Sequence, residues 1–290
     1  MGIFDVIKII LFGIIEGITE WLPVSSTGHL ILFHKFLPLD FSEAFMDMFE
    51  YVIQLAAIGA VILYFWKKIF PFKKVKEKTE TGERSLLKPQ KDIFALWLKV
   101  IVACVPALFA FLIDKLLLEH VNDFAETVMI AGALILYGVV FLLVEDRNER
   151  RRSKIKTMNN LSLKTAFWIG CFQVLAIIPG TSRSGVTIIG ALLLSVSRTV
   201  ATEFTFFLAI PTMVGASGYK ILDFFIEGNA LGWQEGVALA LGCVVAFAVS
   251  LACIKFLMKF VRKHNFKPFG WYRIFLGLIV FLSLAIPYFF

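Results

Sequence analysis

About six apolar runs recur along the chain, at about 44–66, 93–113, 124–144, 199–219, 233–257 and 269–290. Each is long enough to cross the ~30 Å hydrocarbon layer of a bilayer as a helix. Lipid offers no partner to a free N–H or C=O, so such runs must satisfy their own backbone as helices. The chain is therefore expected to be an all-α integral membrane protein, a single polytopic domain over 1–290. Composition agrees: of 290 residues 59% are hydrophobic, with mean hydropathy +0.81. A soluble domain sits nearer half apolar and carries more charge.

The formal net charge of +7 does not point to nucleic acid, because the cations fall mainly between the apolar runs. Three connectors hold most of them: 67–91, 147–164 and 259–267. Their ordinary meaning is topology, since Lys and Arg accumulate in cytoplasmic loops. Cys104, Cys171, Cys243 and Cys253 all lie inside apolar runs without metal spacing, and read as small buried hydrophobes. The first residues lack a basic stretch and a small-residue cleavage site, so no cleavable signal peptide is expected.

Two further apolar stretches are short and interrupted. The first, 3–15, runs into Glu16-Gly-Ile-Thr-Glu20-Trp-Leu-Pro23-Val-Ser25-Ser26-Thr27-Gly28-His29 and resumes over 30–37. The second, 166–178, runs into Pro179-Gly-Thr-Ser-Arg-Ser-Gly-Val-Thr187 and resumes over 188–194. Proline and glycine break helix there and free backbone N–H groups. Such backbone is tolerated at membrane depth only inside protein or along a water-filled cavity. Each stretch therefore reads as a re-entrant helical hairpin. With both hairpins uncrossed, the six spans alternate and all three basic loops fall on one side.

The hairpins are also copies. Gly13-Ile-Ile-Glu16 matches Gly170-Cys-Phe-Gln173, and Pro23 to Gly28 matches Pro179 to Gly185 with a slip of one or two residues. Downstream, Glu50 to Ala56 matches Glu203 to Ala209. Each half, roughly 1–150 and 160–290, is one hairpin plus three spans. Three is odd, so the halves have inverted topology, an arrangement that puts a site near the midplane where broken helices meet.

The residues gathered there suit an anion. Thr181, Ser182, Ser184 and Thr187 supply hydroxyls, Gly180 a free backbone, and Arg183 a charge that grips phosphate with two N–H donors. An Arg at membrane depth costs on the order of 2.5–3.5 kcal/mol on insertion scales, which marks it as functional. Glu16 and Glu20, four residues apart, share a helix face, and like charges there need a metal ion, Arg183 or a proton to coexist. They are candidates for holding a divalent cation or for general-base work; acids at a wet helix end are the plainer reading. Ser26 as nucleophile with His29 as its proton partner is one possibility at this spacing; phosphate ligation or helix capping is the other. Ser25 and Thr27 extend the hydroxyl set. Glu50, Gln54, Gln173 and Glu203 are polar in apolar runs and candidates for the same cavity or for solvated helix ends. Arg198 reads as a second phosphate clamp or an interfacial anchor. Trp66, Trp233, Trp271 and Tyr272 fit an aromatic belt.

Together the two long motifs, with Phe172-Gln173 and Ser197-Arg198 through Glu203-Phe204, closely resemble the bacterial undecaprenyl-diphosphatase family of the bacitracin-resistance type. The resemblance covers essentially the whole chain. It implies that Glu16 and Glu20 form the family's glutamate pair and Ser26 and His29 its serine–histidine element. Pro179, Gly180, Ser182, Arg183, Ser184 and Thr187 then form its proline–glycine–serine–arginine–serine motif. It further implies hydrolysis of undecaprenyl diphosphate with a divalent cation, Mg2+ or Ca2+, to recycle the lipid carrier. A bacterial plasma-membrane location, a site open to the outer (periplasmic) face and a homodimer follow from the same likeness. A transporter or lipid flippase is the competing class, because inverted repeats with broken helices also build transporters.

Overall fold

The structure, a computed structural model, describes residues 2–79, 82–117 and 123–284. The chain runs α1 (Ile3–Thr19), α2 (Ser26–Phe36), α3 (Glu43–Tyr64), the single turn α4 (Trp66–Ile69), β1 (Phe72–Thr79) and β2 (Gly82–Pro89). It continues as α5 (Lys91–Leu117), α6 (Asp123–Glu149), α7 (Leu163–Val174), α8 (Arg183–Leu193), α9 (Arg198–Ile226), α10 (Trp233–Phe260) and α11 (Lys267–Ser283).

Among the described residues five helices, α3, α5, α6, α9 and α10, are long and apolar enough to cross a membrane. The protein is therefore an all-α, multi-pass membrane protein. The sixth expected span is α11, described over 17 residues; its last expected residues, 285–290, lie outside the described set. Both interrupted stretches form helix–turn–helix hairpins: α1–α2, and α7–α8 joined through a 3-10 turn at Leu175–Ile177.

Packing follows the correspondence between the halves. α1 lies against α10, and α7 lies against α5; α3 packs on α9, and α6 on α11. Each pairing maps onto itself or onto another when α1, α2, α3, α5 and α6 are exchanged for α7, α8, α9, α10 and α11. Equivalent glycines permit the closest approaches. A Cβ on Gly13 would stand 3.0 Å from the Gly242 carbonyl oxygen of α10. One on Gly170 would stand 2.1 Å from that of Ala103 in α5. Small residues at such crossings let backbones touch, which in lipid substitutes for a hydrophobic drive.

One element departs from expectation. The Lys-rich connector 67–91, expected as a basic loop, is for most of its length an antiparallel hairpin, paired from Phe72↔Pro89 to Thr79↔Gly82. It is tied to the helices by Gln90 N–H to the Pro71 carbonyl (2.8 Å) and the Trp97 indole N–H to the Ile69 carbonyl (2.8 Å).

Candidate active site

The two hairpin turns are built alike. Ser25 caps α2 with φ 74° and Ser182 caps α8 with φ 67°, left-handed backbone that a serine rarely adopts. Each hydroxyl accepts the N–H three residues on: Gly28 N–H to Ser25 Oγ at 3.4 Å, Gly185 N–H to Ser182 Oγ at 3.2 Å. Ser25 therefore corresponds to Ser182 and Gly28 to Gly185. The sequence slip is confined to the prolines. Ser26 and Arg183 then hold the same position, the first residue of their helices.

Those two residues converge on one carboxylate. Arg183 Nη2 donates to Glu20 Oε1 at 2.7 Å, and Ser26 Oγ donates to Glu20 Oε2 at 3.1 Å. Arg183 and Glu20 side chains keep 17% and 10% of their exposure, so the pair is sheltered yet reachable. Ser184 Oγ donates to the Glu20 carbonyl (3.3 Å) and lies 3.3 Å from Ser182 Oγ. Arg183 Nη1 reaches Thr212 Oγ1 of α9 at 3.5 Å. Thr187 turns inward: its hydroxyl donates to the Arg183 and Ser184 carbonyls and accepts from Thr205. It braces the first turn of α8 from behind.

A cavity of about 300 Å³ opens in front of this cluster, lined by Glu20, Ser25, Ser26, Gly180, Ser182, Arg183 and Ser184. Tyr51 and Gln54 of α3 and Thr212 of α9 complete its polar wall. The N-terminal residues of α2 and α8 thus face one space, bringing free amides and two positive dipole ends to it. Such a helix start is a ready-made anion site.

Several expected contacts are arranged differently. Ser26 and His29 do not bond to each other; Ser26 is held by Glu20. His29 Nδ1 lies 2.7 Å from the Ser25 carbonyl and Nε2 lies 2.7 Å from the Tyr272 hydroxyl. A carbonyl can only accept, so Nδ1 carries hydrogen and Nε2 accepts from tyrosine. The two rings lie nearly parallel, with 5.6 Å between centroids and 8° between planes, and meet at that hydrogen bond. The belt reading of Tyr272 is thereby corrected. Glu16 is fully buried one turn behind Glu20, off the cavity wall, and neither carboxylate oxygen has a partner. Thr181 is buried, and its hydroxyl also lacks one. Thr27 belongs to α2, but its side chain lies outside the described set. Gln54 joins the cavity, whereas Glu203 pairs with Lys68 elsewhere and Glu50 faces His34 at 3.4 Å. Arg198 is neither clamp nor anchor. It grips Glu145 of α6 through Nε at 2.9 and 3.0 Å, and the same carboxylate accepts the Phe266 N–H.

Tyr51, Thr212 and Arg273 are not among the residues expected from the sequence, and Arg273 is the most connected of them. Arg273 of α11 has no exposure at all and joins both turns. Nη2 donates to the Gly180 and Thr181 carbonyls (3.0 and 2.9 Å), and Nη1 to the Pro23 carbonyl (3.4 Å). A charged side chain within an apolar run was the available signal.

Among the described residues no three His, Cys, Asp or Glu side chains cluster as a metal cage. The Glu16–Glu20 pair still suits a hard divalent cation. Mg2+ commonly takes one or two carboxylates and completes its shell with water and substrate phosphate. Glu16's unpartnered, buried oxygens are groups a cation would satisfy.

Fold and site together define a polytopic membrane protein with a polar cavity, lined by Arg183 and serine hydroxyls, between two broken helices. The chain belongs to the family described as bacitracin resistance protein BacA, whose model matches residues 9–279. An undecaprenyl-diphosphatase of Enterococcus faecalis is 53% identical over 99% of each chain. Another of Lachnoclostridium phytofermentans is 50% identical over 97% of each. One of Latilactobacillus sakei is 48% identical over 95% of this chain and 96% of its own.

Proposed function

We propose that this chain hydrolyses undecaprenyl diphosphate to undecaprenyl phosphate and inorganic phosphate, recycling the lipid carrier for peptidoglycan synthesis and conferring bacitracin resistance. The observation that carries this reading is the chain of contacts Ser26–Glu20–Arg183 on the wall of a cavity faced by two helix starts. Near-identical length and about half-identical sequence to the undecaprenyl-diphosphatases support it.

In this reading the terminal phosphate lies against Arg183, the hydroxyls of Ser25, Ser182 and Ser184, and the backbone of Gly180. Arg183 leaves one partner, Glu20, for a stronger one, the diphosphate. It then stabilises charge as the bond from the bridging oxygen to the terminal phosphorus breaks. The nucleophile is Ser26 or a water. If Ser26 attacks, Glu20 Oε2 stands at hydrogen-bond distance to take its proton; undecaprenyl phosphate leaves, and water then cleaves the phosphoserine to release inorganic phosphate. If water attacks, Ser26 ligates phosphate and Glu20 orients the water. His29 fastens α2 to α11 and can transfer a proton only after its bond to Tyr272 opens. Glu16 and Glu20 would hold the Mg2+ or Ca2+. Such an ion, when bound, neutralises charge on phosphate oxygens.

The site opens to the outer face of the bacterial plasma membrane in this reading. The three basic connectors, which mark the inner side, support it. A homodimer is part of the same proposal.

The test is phosphate release from undecaprenyl diphosphate by the purified chain, with and without EDTA, beside Arg183→Ala. Release that EDTA abolishes and added Mg2+ or Ca2+ restores, absent in the variant, supports enzyme, metal and site together. Lipid flux in liposomes without phosphate release would replace the enzyme with a transporter.

A further inference from the structure

Another cavity, of about 630 Å³, lies between the end of α3 with α4, the second turn of α9 and the end of α10. It shares no residue with the cavity of Glu20 and Arg183. Two of the three basic connectors begin here, at Lys67 and just before Arg262. One side of its lining is apolar and open: Leu63, Tyr64 and Trp66 keep 58%, 37% and 50% of their surface exposed. The other side carries Lys67, Lys68 and Arg262 around the carboxylate of Glu203.

The charges do not cancel. Lys68 Nζ lies 2.7 Å from Glu203 Oε1, and the Glu203 side chain is only 11% exposed, so this acid is already answered. Among the described residues neither Lys67 nor Arg262, both in the lining, is in an ion pair. The space therefore offers two cations beside an exposed apolar wall.

We propose that this cavity binds an anionic phospholipid, with its phosphate between Lys67 and Arg262 and its acyl chains leaving past Leu63, Tyr64 and Trp66. Basic pockets between transmembrane helices recognise such headgroups. A bare phosphate would leave the apolar wall unused. A zwitterionic headgroup would bring its own cation against Lys67 and Arg262, and Glu203 is not free to receive it.

The experiment is a binding titration of the full chain in detergent by native mass spectrometry, using phosphatidylglycerol and phosphatidylcholine. Phosphatidylglycerol should bind at least tenfold more tightly. The double variant Lys67→Gln/Arg262→Gln should lose about 25-fold of that affinity, about fivefold for each cation, with phosphatidylcholine unchanged. Lys73→Gln/Lys74→Gln, an equal loss of charge on β1, should stay within about twofold of the parent. Wild-type phosphate release by the first variant reports that it is folded; if it does not fold, the two single variants are each expected to lose about fivefold. Equal binding of both lipids, equal loss in both double variants, or displacement of phosphatidylglycerol by comparable inorganic phosphate would overturn the proposal.

Discussion

Arg183 and Glu20 are 163 residues apart in the chain and 2.7 Å apart in space. The contact joins the two hairpins at their turns and gives Arg183 a partner when no anion is bound. It also holds the carboxylate whose second oxygen receives the Ser26 hydroxyl.

Replacing Arg183 with Ala should lower kcat for phosphate release by at least about 10²-fold, the loss expected for one transition-state donor. Arg183→Lys should recover little, because a point charge cannot bridge two phosphate oxygens. Assayed with Glu20→Gln and the double variant, the losses should be strongly non-additive, since both residues act on one phosphate. Additive losses would separate them into independent roles.

Ser26→Ala should reduce turnover by about 10²–10⁴-fold, the range assisted proton transfer contributes. Acid-quenched protein examined for phosphoserine at position 26 tells attack by serine from attack by water. Whichever attacks, a variant at near-normal rate would remove Ser26 from the site.

Arg273→Gln is expected to act through the turns it ties together. Its hydrogen bonds to three carbonyls are each worth about 1.5–3 kcal/mol when the donor is charged, so thermal unfolding in detergent should shift clearly downward. Among the molecules that remain folded, kcat should fall more than KM rises, because the displaced groups are Arg183 and Ser26. Arg273→Lys, which keeps the charge but not the fork, should recover stability only in part.

Gly170→Ala and Gly215→Ala should move stability in opposite directions. At Gly170 the new Cβ meets the Ala103 carbonyl at 2.1 Å, and α7 must move off α5. Folded yield should drop, with a cost of at least about 1–3 kcal/mol for overpacking. At Gly215, inside α9, nothing lies within 4 Å of the added carbon. Alanine there should stabilise by roughly 0.5–1 kcal/mol through reduced chain entropy. Midpoints of thermal unfolding compare the two.

Much of this architecture is readable without coordinates, because in a membrane the backbone must close its own hydrogen bonds. Runs of spanning length gave α3, α5, α6, α9 and α10, and Pro23 and Pro179-Gly180 gave the breaks. The motif residues Ser25, Ser26, Gly180, Ser182, Arg183 and Ser184 all reach one cavity with Glu20. What stayed hidden depends on contacts between distant helices. His29 at three residues from Ser26 has local geometry for a pair, yet Tyr272 of α11 takes its ring. Glu16 shares a face with Glu20, but it is buried off the cavity wall with both oxygens unpartnered. Arg273 carries no local signal beyond its charge, because its partners are carbonyls of two distant turns. The β1–β2 hairpin is hard to see in the sequence because lysines dominate its first strand.

Ser25 and Ser182 impose the same uncommon backbone on the two turns, while the residue that follows differs: a hydroxyl in one, a guanidinium in the other. Chemical difference has thus been laid on duplicated scaffolding. Each half supplies a matching socket, and a single side chain decides whether that socket presents a hydroxyl or a charge. A pseudosymmetric frame of this kind separates the evolution of reactivity from that of shape, since exchanging the side chain after the cap leaves the turn intact.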